Sequence, residues 1–149
     1  MILEDTFVVN VQVALFSGDH ILLIKRSKTE THAPGAVDLP GGKLELGELG
    51  NDALERLGKR ELLEETGIEA AAGLRYICSA LFVASDGAPV INVVLGVKHR
   101  ASSRPPPRPG VDELDALWAP VDWALHAPEV PPWTRDYIHR AQTALRVPT

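Results

Sequence analysis

The chain has 149 residues, 45% of them hydrophobic, with a formal net charge of −5 at pH 7. That length suits one domain, 1–149, with a real core, and the acidic balance shows no basic patch of the kind that holds nucleic acid, so no nucleic-acid partner is expected. The lone Cys78 excludes an internal disulfide and fits a reducing cytosol. No apolar run approaches the ~18 residues of a membrane span, and the N-terminus lacks a basic flank ahead of an apolar core. A cytoplasmic protein with no membrane partner is therefore expected.

Phe7, Val9, Val11, Val13 and Leu15 alternate as in a half-buried strand, and Ser17-Gly18-Asp19 turns it into a second strand over 21–26. A loop over 27–35 leads to Val37-Asp38-Leu39 and then to a glycine turn at Leu39-Pro40-Gly41-Gly42-Lys43. That loop holds His32, the histidine best placed to meet a substrate, although an exposed side chain is the plainer expectation. Asp52 with Glu55 makes a capping pair for a helix from about Ala53 to Thr66, and Gly67 stands where a left-handed C-terminal cap is expected. Leu74–Ala84 and Val90–Lys98 read as strands joined through Ser85-Asp86-Gly87. Arg104-Pro105-Pro106-Pro107-Arg108-Pro109-Gly110 is a stiff, extended loop rather than a docking motif. A short strand near Ala116–Trp118 precedes Pro120, and Pro132 opens a last helix through about Leu145. Trp118, Trp123 and Trp133 are expected first in the core, with base stacking as the other use of such rings.

The helix over 53–66 carries the chemistry. Its segment Arg60-Glu61-Leu62-Leu63-Glu64-Glu65 sets Glu61 on one face with Glu64 and Glu65, and like charges at that spacing cost a helix about 0.2–0.5 kcal/mol per pair. A solvated acidic face normally matches each Glu with a cation one turn away, as Glu55 has Lys59 and Glu64 has Arg60. Glu61 has only Leu57, Gly58, Glu64 and Glu65 at those spacings, and Glu65 has Glu61, Leu62, Ile68 and Glu69. An unmatched cluster of this kind beside a two-glycine loop points to a bound divalent cation. Carboxylates and a loop carbonyl are hard oxygen donors that suit Mg2+ or Mn2+ rather than zinc.

These residues resemble the box of the Nudix hydrolases, written G-x5-E-x7-R-E-U-x-E-E-x-G-U with U bulky and apolar. Gly42 and Glu48 match its first half; Arg60, Glu61, Leu62, Glu64, Glu65, Gly67 and Ile68 match its second half without exception. One departure stands out: residues 49–59, eleven rather than seven, separate Glu48 from Arg60. Arg56 occupies the family's usual arginine position, but Leu57 follows it where Glu is required. Four added residues are close to one turn at ~3.6 residues per turn, so the carboxylate face rotates by only about 40°. Gly58 within the insert costs about 1 kcal/mol relative to Ala and marks a possible kink or bulge. The insert leaves open how far Gly42 and Glu48 lie from the carboxylates.

The resemblance implies an α/β/α sandwich with a mixed central sheet and a metal-dependent hydrolase of a diphosphate linkage in a nucleoside diphosphate joined to another group. It implies Glu61, Glu64, Glu65 and the Gly42 carbonyl as ligands of Mg2+ or Mn2+, with Glu61 and Glu65 foremost. Arg60 would orient the box carboxylates and Glu48 would serve in an ion pair. Arg26 and Lys43 are candidates for binding phosphate, with a plain surface charge as the alternative for each. Glu113, after the proline loop, is the candidate for a further acid acting as base or ligand, in competition with Asp112 and Asp115. The catalytic set so implied is Glu61, Glu64, Arg60 and Glu113. A silent nucleotide-binding module and a diphosphate-substrate isomerase on the same fold remain as alternatives. Leu22 to Ser27, with His32 and Gly35, faintly resembles the coenzyme A-cleaving branch, but the expected partner is only a small nucleotide or other diphosphate. Monomer and homodimer are both open.

Overall fold

The computed structural model describes residues 6–27, 35–100 and 103–148. His32 lies outside them. Strands β1 (Val8–Ser17) and β2 (His20–Arg26) form a hairpin in which Phe16 faces Ile21 across Ser17 and His20. Gly18 makes the turn at φ +56, a left-handed conformation that glycine adopts without penalty. Short strands β3 (Val37–Asp38) and β4 (Gly41–Lys43) follow, then one 3₁₀ turn at Leu46–Glu48 and helix α1 (Ala53–Thr66). The long hairpin β5 (Arg75–Val83) and β6 (Pro89–Lys98) comes next, and then β7 (Glu113–Pro120), α2 (Val121–His126) and α3 (Pro132–Leu145).

The strands join in one sheet of order β3-β2-β1-β6-β5, with β4 also on β1 and β7 also on β2. The β1–β6 pairing is parallel and the others are antiparallel, which gives the mixed sheet expected from the resemblance. Side chains alternate faces along a strand, so β1 feeds two cores. Val13 and Leu15 pack with Leu22, Leu62 and Ile68 under α1, while Val11 packs with Leu57, Val93 and Leu95. Ala14 and Phe16 pack on the other face with Ile21, Leu23, and with Ile138 and Ala141 of α3. The molecule is therefore an α/β/α sandwich.

Two-sided coverage corrects the expectation for β1. From Val11 to Ser17 every residue is buried, so its alternation sorts residues between two cores rather than between core and water. Phe7 falls outside the strand and is exposed. The expected glycine turn is instead the strand β4, antiparallel to β1 with Val11 opposite Gly42 and Gln12 opposite Gly41. Trp118 packs beside the α1-side core, whereas Trp123 and Trp133 are exposed, contrary to their expected burial. Short α2 was not foreseen. It follows Pro120, the last residue of β7, and Val121 and Ala124 secure it to the α3-side core.

α1 runs over the expected residues, and Gly67 closes it at φ +72 with its N–H donating to the Leu63 carbonyl. Its start differs. Asp52 sits at φ +56 with no side-chain cap hydrogen bond, so the capping pair with Glu55 does not form. Gly58 marks no break in the helix. A Cβ there would lie 3.0 Å from Leu74 and 3.1 Å from Val13, so this glycine lets the helix settle closely on the sheet.

Gly41 is more tightly confined, since a Cβ would overlap the Val11 carbonyl oxygen and approach the Gln12 Cα, both backbone atoms of a central strand. Gly41→Ala should therefore destabilise the fold by on the order of 3 kcal/mol in urea unfolding. A midpoint unchanged from wild type would contradict the tight β1–β4 contact.

Candidate active site

Two arginines absorb the long spacer between the halves of the box. Arg56 donates to the carbonyls of Glu48 (2.6 Å), Leu49 (3.1 Å) and Asn51 (3.0 Å), satisfying the loop that leads into α1. One turn later, Arg60 reaches back to the Glu48 carboxylate with Nε at 2.9 Å and Nη2 at 2.6 Å. Glu48 is buried, and it also accepts from the Glu45 N–H at 3.3 Å. The Arg60 hydrogen bonds hold the Glu48 carboxyl below the usual carboxylate range. Arg60 also lies 3.4 Å from Glu61 and 3.3 Å from Glu64. Glu61 thus does have a cation, at the adjacent position, which i+3 and i+4 spacing overlooked.

Beyond this clamp the acids divide. Glu64 is 55% exposed and turned to Arg60. Glu61 and Glu65 instead press toward β4. Glu65 is 7% exposed and accepts from the Gly41 N–H at 3.2 Å. The Glu61 carboxylate packs on Gly42 so closely that a Cβ there would come within 2.5 Å of it. The proline loop adds a third acid by docking on the end of α1, where Arg108 N–H donates to Thr66 (2.8 Å) and Gly110 N–H to Glu65 (3.2 Å). A Cβ on Gly110 would lie 2.6 Å from the Glu113 carboxylate and 2.5 Å from the Glu64 carbonyl, so only glycine lets Glu113 come this close to the helix. Of the competing acids, Asp115 bonds the N–H of Ala116, while Glu113 interacts directly with Glu65.

Burial, then the charge of Glu113, then the hydrogen bond and charge of Glu61 push the Glu65 carboxyl up to about 9. Burial also raises Glu61 and Glu113, and each is hydrogen-bonded to Glu65. A protonated Glu65 thus joins three acids that would otherwise repel.

Among the described residues no three acid, imidazole or thiol side chains stand as a ready metal cage. The donor set nonetheless fits a hard divalent cation, because Glu61, Glu65 and Glu113 offer only oxygen and Gly42 leaves its backbone open against Glu61. A bound cation would replace the proton that now holds these acids together. Glu64, turned to Arg60, stands apart from this group.

β4 is the wall between the acids and a cavity of about 600 Å³. Its Gly41 and Gly42 meet the acids, and its Lys43 lines the cavity together with Arg26. Both candidate phosphate ligands therefore face one space, although Arg26 also bonds Asp38 at 3.3 Å. Asn10, Gln12 and Asn92 line the cavity too, and Phe82, Trp133 and Tyr137 supply an aromatic wall. The sequence had a signal for the amides, polar residues at alternate positions of valine-rich strands, but the apolar pattern around them hid it.

Because Glu65 binds its proton more tightly in the folded state than its ordinary value of 4.5 allows, unfolding between pH 4.5 and 9 releases that proton. Metal-free protein should thus lose stability as pH rises through this window. Glu65→Gln should flatten the slope in thermal melts, whereas an equally steep slope in the variant would place the titration elsewhere.

A family model described as NUDIX domain matches residues 6–141. Among solved structures, the chain resembles a MutT protein from Methanosarcina mazei Go1 at 24% identity, covering 95% of this chain and 97% of that one with a TM-score of 0.74. A MutT NUDIX hydrolase from Burkholderia pseudomallei matches at 23% identity, covering 91% and 98%, with a TM-score of 0.72. The NUDIX domain of Shewanella oneidensis NrtR, solved with ADP ribose, matches at 20% identity, covering 94% and 89%, with a TM-score of 0.78. A comparison with curated proteins found no match. Box, fold and family model agree: the chain belongs to the Nudix family.

Proposed function

We propose that this chain is a single-domain, Mg2+- or Mn2+-dependent hydrolase that cleaves the diphosphate linkage of a nucleoside diphosphate joined to another group. The observation that carries this proposal is the meeting of Glu61 and Glu65 at the glycine strand β4, with Glu113 beside Glu65 and a cavity nearby that receives Arg26 and Lys43. Glu61 and Glu65 would hold the cation with the Gly42 carbonyl. When bound, the cation neutralises diphosphate oxygens and makes a water molecule more acidic.

The remaining work falls to the chain's own residues. Lys43 and Arg26 bind the diphosphate from the cavity side, with Asp38 holding the Arg26 guanidinium in place. Arg60 and Glu48 brace the helix turn from which Glu61 projects. Glu113 takes the proton of the attacking water, helped by a pKa raised by burial toward the operating pH. Water attacks one phosphorus, and the other phosphate leaves with its substituent. Glu64, exposed and held by Arg60, has a supporting part.

The test is a panel of nucleoside diphosphate derivatives assayed with Mg2+ and with Mn2+, reading both phosphate-containing products. Chelation should abolish turnover, and Glu65→Gln should lower kcat by about 100-fold or more with the fold intact. Wild-type rates in that variant would remove the site from the reaction. Glu113→Gln should lower kcat by roughly 100- to 10,000-fold, while Asp112→Asn and Asp115→Asn stay near wild type. If an aspartate variant suffers the loss instead, the base is misassigned.

A further inference from the structure

The amides beside the cavity form a relay with a fixed direction. Asp38, buried, accepts from the Leu39 N–H (2.8 Å), the Thr134 hydroxyl (2.8 Å), Gln12 Nε2 (3.1 Å) and Arg26 Nε (3.3 Å). A carboxylate surrounded by donors can only accept, so Gln12 must turn its NH2 toward it. The Gln12 oxygen is then left to accept from Asn92 Nδ2 at 2.9 Å, and the Asn92 oxygen to accept from Asn10 Nδ2 at 2.8 Å. Reversing any one amide would set two acceptors or two donors against each other, a costly arrangement at buried positions. Gln12 and Asn92 are both buried, and Asn10 and Asn92 are register partners on β1 and β6.

The relay ends at Asn10. One of its two Nδ2 hydrogens goes to Asn92, and its Oδ1 accepts from no donor among the described residues. Asn10 is half-buried and lines the cavity whose wall includes Phe82 and Trp133. Asp38 thus dictates, through two intervening amides, that Asn10 offers its oxygen.

We propose that this cavity holds the base of the nucleotide and that Asn10 selects a base bearing an exocyclic amino group beside an unprotonated ring nitrogen, as in adenine or cytosine. Asn10 Oδ1 accepts from the amino group, and the remaining Nδ2 hydrogen donates to the ring nitrogen. That pairing matches the two-point fit of asparagine to adenine. Phe82 and Trp133 cover the apolar faces of the ring, and the phosphates run toward Lys43 and β4. This assignment rests on the nucleotide hydrolase proposed above and names its substrate class.

The experiment is calorimetric binding of adenosine, cytidine, inosine and uridine monophosphates to the full chain with Mg2+, which needs no turnover. Adenosine and cytidine monophosphates should bind on the order of tenfold tighter than inosine and uridine monophosphates. Asn10→Leu should bring the ratio close to one. Gln12→Leu, which frees Asn92 and with it Asn10 to turn round, should reduce the ratio as well, although Gln12 lies two links back from Asn10 in the relay. Equal binding of the adenosine and inosine compounds by wild type, or a ratio that survives Asn10→Leu in folded protein, overturns the proposal. If the preference is absent while nucleoside diphosphate derivatives are hydrolysed, base selection fails and the hydrolase stands. If the preference is present with no turnover of any substrate, base selection stands and the hydrolase fails.

Discussion

Three carboxylates that repel one another are held together at the end of α1, two of them against a pair of glycines with no side chains to separate them from the strand backbone. Glu61 and Glu65 come from one helix face, and Glu113 is brought in by a proline loop that hydrogen-bonds the end of the same helix. Burial makes their charges costly, so without a cation the group keeps a proton at Glu65. Gly42 and Gly110 are the positions where a methyl group would push into these acids or their helix backbone, and Gly41 is the position where it would push β4 off β1. The rest of the architecture serves this contact: α1 is pressed onto β1 by Leu57 and Leu62, and β4 is fixed by its pairing with β1.

Strand β4 also links chemistry to recognition. On one side it meets the acids, and beyond it Lys43 faces a cavity with an amide-lined side. Asp38 ties the two sides together, since it restrains Arg26, a candidate phosphate ligand, and sets the direction of the amide relay. One buried carboxylate with four donors therefore orders both ends of the proposed substrate path.

Much of this was legible in the sequence for a physical reason. Hydrophobic spacing, the left-handed Gly67 and Pro132 at a helix start are local signals, and α1 and α3 fall where they pointed. The box residues were legible because their spacing along one helix face is visible in a linear string, although the pairing of Arg60 with the adjacent Glu61 was not. Nonlocal features were not. Nothing short-range shows that Gly41 must pass under the Val11 carbonyl, so a strand looked like a turn. Asn10 and Asn92 stand 82 residues apart in sequence, and only parallel pairing of β1 and β6 makes them neighbours. Glu64 and Glu65 differ in surroundings: Arg60 claims Glu64 at a spacing already visible in the chain, whereas the burial of Glu65 against Gly41 is a tertiary contact that spacing does not show. Asp52 had the right residue type for a cap but took a left-handed backbone that turns its side chain from that duty.

The central claim is that Glu61 and Glu65, facing β4, form the metal site. A crystal soaked in Mn2+ and measured for anomalous scattering tests it most directly. The account predicts a peak within about 2.0–2.3 Å of carboxylate oxygens from Glu61 and Glu65. A peak held by Glu64 alone, or none beside β4 at saturating Mn2+, would contradict it.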